Sequence, residues 1–87
     1  MFNNAKYIII VESGVEVPIV FSDQLSHSDI AKNKTVVAAG FCHIGSYVNS
    51  GLAKTSVWAG GKSVTLKIES RVGDADIIKK EICREEI

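Results

Sequence analysis

Two cysteines, one proline and no surplus of either charge bound this chain of 87 residues before any motif is considered. Cys42 and Cys83 are too few for the disulfide framework with which small secreted domains make up for a thin core, so both read as reduced thiols. Ten Lys and Arg stand against ten Asp and Glu, giving a formal net charge of zero and a pI near 6.7. No global positive field is available to draw in a nucleic acid or an anionic membrane. Long apolar runs are missing too. The longest begins at Tyr7 and stops before Glu12, far short of the ~20 residues that span a bilayer and without the basic flank and cleavage site of a secretory leader. The expectation is a cytoplasmic protein with no membrane partner.

What remains is ordinary globular material. A 46% hydrophobic share, 23% charged residues and mean hydropathy of +0.17 are too apolar for a disordered chain, and the length allows one core. Residues 1–87 therefore read as a single domain. Lys6-Tyr7-Ile8-Ile9-Ile10-Val11-Glu12 is β-branched and apolar at successive positions, the pattern of a central strand covered on both faces. Ser13-Gly14 suits a two-residue hairpin turn. In the next strand Val15, Val17, Ile19 and Phe21 share a face, while Pro18 cannot donate to a ladder, which places that strand at an edge. The polar segment around Ser26-His27-Ser28 suggests one or two helical turns with a hydroxyl cap and an exposed His27. A third strand follows over residues 35–44, with a bulge expected at Gly40 and small residues at 38–40 that let another element come close.

Residues 45–54 show too little periodicity for an assignment and read as a mobile or ligand-facing loop. Thr55-Ser56-Val57-Trp58-Ala59 and residues 63–69 read as a second hairpin turning at Gly60-Gly61, with Val64, Leu66 and Ile68 inward. From Ser70 the pattern becomes helical. Ser70 or Asp74 can cap, Asp74 and Asp76 suit the positive end of a helix dipole, and Ile77, Ile78, Ile82 and Ile87 form the apolar stripe, with Lys79-Lys80 and Arg84-Glu85-Glu86 outside. The sum is an α+β domain: an antiparallel sheet of about five strands, a short helical turn after strand two, and a C-terminal helix packed on one face.

Catalytic patterns are sparse. Gly60-Gly61-Lys62-Ser63 has the end of a phosphate-binding loop, but Ser56 replaces its first glycine and Ser63 opens a strand instead of a helix. Neither Cys-x-x-Cys nor His-x-x-x-His occurs, so no metal site and no cofactor are expected. Cys42 and His43 are neighbours on a strand and point to opposite faces, which rules out a dyad from that pair. Enzymatic activity is not expected. The polar and aromatic side chains His43, Tyr47, Trp58, Lys62 and Arg71, with Phe41 and Lys54 nearby, could build a ligand pocket. The stronger reading of the same residues makes Phe41 and Trp58 core anchors and pairs Arg71 with a carboxylate.

Val17-Pro18-Ile19-Val20-Phe21 leading to Leu25-Ser26-His27-Ser28-Asp29-Ile30-Ala31 and Val36-Val37-Ala38-Ala39-Gly40-Phe41 resembles small proteins encoded by bacteriophages and prophages. So does Gly61-Lys62-Ser63-Val64-Thr65-Leu66 running into Ser70-Arg71-Val72-Gly73-Asp74-Ala75-Asp76-Ile77-Ile78, with Val72 where proline is expected. No residue role comes with this resemblance. It implies a non-enzymatic interaction module in a bacterial host's cytoplasm, a homo-oligomer or a binder of a host protein, with counter-defence as the sharpest form. The alternative is a protein that binds or sequesters a nucleotide-like or anionic small molecule. A third possibility is a minor enzyme with His27 or His43 as base.

Overall fold

A strand that is apolar on both faces is stable only with cover on each side, and the first strand obtains it. The computed structural model describes residues 2–83. Its strands β1 (Phe2–Glu12), β2 (Val15–Ser22), β3 (Val36–Asn49) and β4 (Leu52–Gly60) form one antiparallel sheet in the order β2-β1-β3-β4. Tyr7 and Ile9 point to one side, into a core with Ala38, Cys42 and Ile78. Ile8 and Ile10 point to the other, into a second core with Ala31 and Ala39. Burying each such side chain contributes about 1.5–3 kcal/mol, so β1 anchors both halves of the molecule.

The α+β architecture is as expected, with the strands divided into a sheet of four and a ribbon of two. The ribbon is β5 (Lys62–Ser63) paired with β6 (Ile68–Glu69). It shares one face of the sheet with the short helix α1 (His27–Ala31), and Leu66, Ile68 and Ile30 pack onto that face. The other face carries α2 (Asp74–Cys83), whose Ile77 and Ile78 meet Tyr7, Ile9 and Cys42. We call these the ribbon face and the helix face. The expected continuation of the apolar stripe and polar face through Arg84, Glu85, Glu86 and Ile87 lies outside the described residues, as does the side chain of Cys83. Among the described residues no helix is long and apolar enough to cross a membrane.

Ser13 and Gly14 both adopt left-handed φ, 52° and 79°, the two-residue turn whose twist suits a hairpin. β2 is an edge strand, and Pro18 sits opposite Ile9 in it. The bulge lies elsewhere than expected. Ile9 pairs with Ala38 but Ile10 with Val36, so the extra residue is Val37, not Gly40. Gly40 instead permits a close approach, since a Cβ there would sit 2.5 Å from the Gly60 carbonyl oxygen.

Residues 45–54 are not a loop. They are the outer half of the β3–β4 hairpin, closed by Ser50 and Gly51 at φ 54° and 81°. The last β1 partner of β3 is Phe2 opposite Gly45, so beyond it, among the described residues, the hairpin is a two-stranded arm. Val48 there is 76% exposed and Leu52 61%, which is why the segment shows no inward periodicity. The hairpin expected between residues 55–59 and 63–69 is also corrected, because β4 pairs with β3. Residues 64–67 form a turn that interrupts the expected strand. Buried Ser63 directs it: its Oγ accepts from the Leu66 amide at 3.1 Å, and its carbonyl accepts from the Lys67 amide at 2.9 Å, a hydroxyl-closed turn competing with extended structure. Val64 is therefore turned out, at 78% exposure, while Leu66 and Ile68 pack inward.

Candidate functional site

On the ribbon face the antiparallel register sets side chains in rows across the sheet. Asn4 of β1, His43 of β3 and Trp58 of β4 make one row. Phe21, Lys6, Phe41 and Gly60 make the next. Beyond that, Ile19, Ile8 and Ala39 lie under α1 and the ribbon. The first two rows are only partly covered. Except for Phe21, their residues join Asp23, which follows β2, and Gly61 in lining an open cavity of about 500 Å³, within the range of about 300–1,000 Å³ typical of small-molecule sites.

Its walls are aromatic. The His43 and Trp58 rings meet edge to face, centroids 5.1 Å apart, and Trp58 remains 54% exposed and Phe41 41%. Gly60 and Gly61 make room for them. A Cβ on Gly60 would fall 2.7 Å from a Trp58 ring carbon, and one on Gly61 3.2 Å from Phe41. The Lys6 ammonium is held above Phe41, 5.8 Å from the ring centroid, and donates to the Leu25 carbonyl at 2.8 Å. An exposed indole beside a fixed cation is suited to a flat, electron-rich or anionic ligand.

The sequence-derived candidates divide accordingly. His43 and Trp58 stand together in this cavity. Tyr47 is on the same face with Lys54 as its cross-strand partner, but four residues along β3, about 14 Å at the strand rise. It belongs to the arm. Lys62 lies at the ribbon, beside a smaller cleft that also touches Phe41. Arg71 is on the opposite face and does not join the site. Its guanidinium binds Glu16 at 2.6 and 3.2 Å and Asp74 at 3.1 Å. This bond to Glu16, with the charges of both acids, holds the guanidinium pKa above its usual value, and Arg71 in turn lowers that of Glu16.

His27, expected at the surface, is buried. Its ring stands edge-on to Phe21 and Phe41, each centroid 5.6 Å away, and Nε2 lies 2.7 Å from the Gly40 carbonyl. A carbonyl only accepts, so Nε2 carries a proton and His27 is occupied tying α1 to β3. Cys42 is buried on the helix face, and desolvation pushes its thiol up to about 11. It is a core residue back to back with His43. Among the described residues no three His, Cys, Asp or Glu side chains gather as a metal would need.

Lys6, Asn4 and Asp23 were not singled out from the sequence. A signal existed in the even positions of β1, where polar Asn4 and Lys6 give way to Ile8 and Ile10 on one face. That switch marks where the cover of the ribbon face begins. No family model matches the chain, and comparison with curated proteins and with solved structures finds no match.

Proposed function

We propose that this chain is a non-enzymatic binding module that holds a flat, nucleotide-like small molecule on the exposed part of its ribbon face. The observation that carries the reading is the 500 Å³ cavity in which Trp58 and His43 stand exposed beside the fixed Lys6 ammonium. The ring of the ligand stacks against the indole, and Lys6 faces its electron-rich or anionic part. Binding without turnover fits the two histidines. His27 is committed to Gly40, and the ring against His43 is an indole where a base would need an orienting carboxylate. In the phage or prophage setting that the sequence resembles, such a module would act by sequestering its ligand in the host cytoplasm.

The test is calorimetric titration with nucleosides and nucleotides, alongside the emission of Trp58, the only tryptophan. Base stacking is worth about 1–3 kcal/mol by alanine substitution, so Trp58→Ala should weaken binding about 5- to 150-fold. An unaltered affinity in that variant would remove the reading. A second reading, self-association or capture of a host protein, is favoured by one separate observation: the arm exposes Tyr47 and Leu52 on one face and Val48 on the other.

A further inference from the structure

The cavity of the ribbon face has a neighbour. Between α1 and the ribbon lies a cleft of about 210 Å³, lined by Lys6, Lys62, Ser26 and Thr65 above His27 and Phe41. Lys6 and Phe41 line both spaces, so the two adjoin. The smaller is below the size of about 300 Å³ at which whole ligands are usually held. It is the size of a substituent.

Its chemistry differs from that of the aromatic cavity. Beside Val64 and the two rings, its lining includes two lysines and the hydroxyl residues Ser26 and Thr65, and no carboxylate; the Ser26 hydroxyl is engaged in capping α1. Among the described residues neither Lys6 nor Lys62 forms an ion pair. Glu69, the cross-strand partner of Lys62, is not in that lining; it lines an adjoining hollow together with Lys62 and Lys67. Lys6 has three N–H donors and gives one to Leu25. Ser63 Oγ accepts from the Leu66 amide and can donate its own hydrogen bond to Thr65 Oγ1, 3.3 Å away. The Thr65 hydrogen is then available to an anion. Two lysines and a hydroxyl donor in a lining without a carboxylate are what a phosphate group requires.

We propose that this cleft is the phosphate subsite of the aromatic cavity, and that the ligand is accordingly a nucleoside phosphate, its base against Trp58 and its phosphate between Lys6, Lys62 and Thr65. The inference rests on the binding reading above and adds the half of the ligand that an aromatic wall cannot specify. Lys6 joins the two halves, which fixes the direction in which the ligand lies.

The experiment compares each nucleoside with its 5′-monophosphate by calorimetry, on the unaltered chain and on Lys62→Ala and Thr65→Val, with circular dichroism to confirm that each variant is folded. Hydrogen bonds to charged groups predict that the monophosphate binds about tenfold or more tightly than the nucleoside. Lys62→Ala and Thr65→Val should each reduce that preference while leaving nucleoside affinity unchanged. Added salt should weaken only the monophosphate. Equal affinity for the two ligands, or a Lys62→Ala loss shared by both, overturns the subsite and leaves the aromatic site standing. If neither ligand binds, the subsite falls together with the binding reading.

Discussion

The Asp74 carboxylate has no exposed surface, and three donors are aimed at it. Tyr7 Oη donates at 2.6 Å, the Arg71 amide at 2.7 Å and Arg71 Nε at 3.1 Å. Truncating Asp74 breaks all three bonds and leaves the buried Tyr7 hydroxyl without its acceptor, each charge-assisted bond being worth about 1.5–3 kcal/mol, so Asp74→Ala should lose roughly 3 kcal/mol of stability in urea unfolding. Tyr7→Phe, which leaves the carboxylate two donors, should lose only about 1–2 kcal/mol. The same core has an alkaline signature. Burial first, and then the bond to Asp74, raises the Tyr7 phenol above its usual range, and burial alone lifts the Cys42 thiol to about 11 from a usual value of 9.0. Both acids are held neutral in the fold. Their stabilising effect is full below the usual values and is lost as pH rises; for Cys42 the window runs from 9.0 to about 11 and costs about 2–3 kcal/mol. Stability measured from pH 7 to 11 should fall across that window, and less steeply in Cys42→Ala. Glu16, lowered by Arg71, acts in the other direction: its contribution is present above the usual carboxylate range and lost as pH drops through its lowered value.

Two glycines of the β3–β4 pair separate stability from binding at the scale of an element. Gly40→Ala drives a Cβ into the Gly60 backbone carbonyl, which cannot turn aside as a side chain can, so unfolding should come about 1–3 kcal/mol earlier. Gly60→Ala meets only the Trp58 ring. It should shift indole emission and weaken ligand binding while altering stability little, and an unchanged spectrum would contradict the packing of Trp58 on Gly60. The sequence was legible where local chemistry and burial agree. β1 announced itself by its apolar run, β2 by Pro18, and α2 by Asp74 and its spaced isoleucines. It was less legible in the arm. Ser50-Gly51 is the same dipeptide as Ser13-Gly14 and turns with the same φ signs, yet no core lies behind its strands to write a pattern into them. The break at residues 64–67 was hidden for the opposite reason, because an alternating run is overruled by the Ser63 hydroxyl. Of the site, His43 and Trp58 could be named, but only the register across β1, β3 and β4 adds Asn4 and Lys6.

At the scale of the whole molecule, which measures 43 × 28 × 20 Å with the arm included, the arm carries exposed apolar side chains away from both cores. A formal net charge of zero supplies no repulsion against self-association. If copies pair through the arm, sedimentation should show a concentration-dependent dimer that Val48→Asp with Leu52→Asp converts to monomer, with ligand affinity retained. A monomer throughout the micromolar range for the unaltered chain would retire that reading and leave the ribbon face as the working surface.

The bond from Tyr7 to Asp74 joins residues 67 apart, and it sets an order of events during synthesis. Both hairpins close over two residues and can form as soon as their strands leave the ribosome. The helix face cannot. Until Asp74 and Ile78 emerge, a nascent chain presents Tyr7, Ile9, Ala38 and Cys42 bare on one side of a finished sheet. A chain halted before residue 74 would therefore be a sticky sheet and not a smaller copy of the domain, and the emergence of α2 is the step that closes its second core.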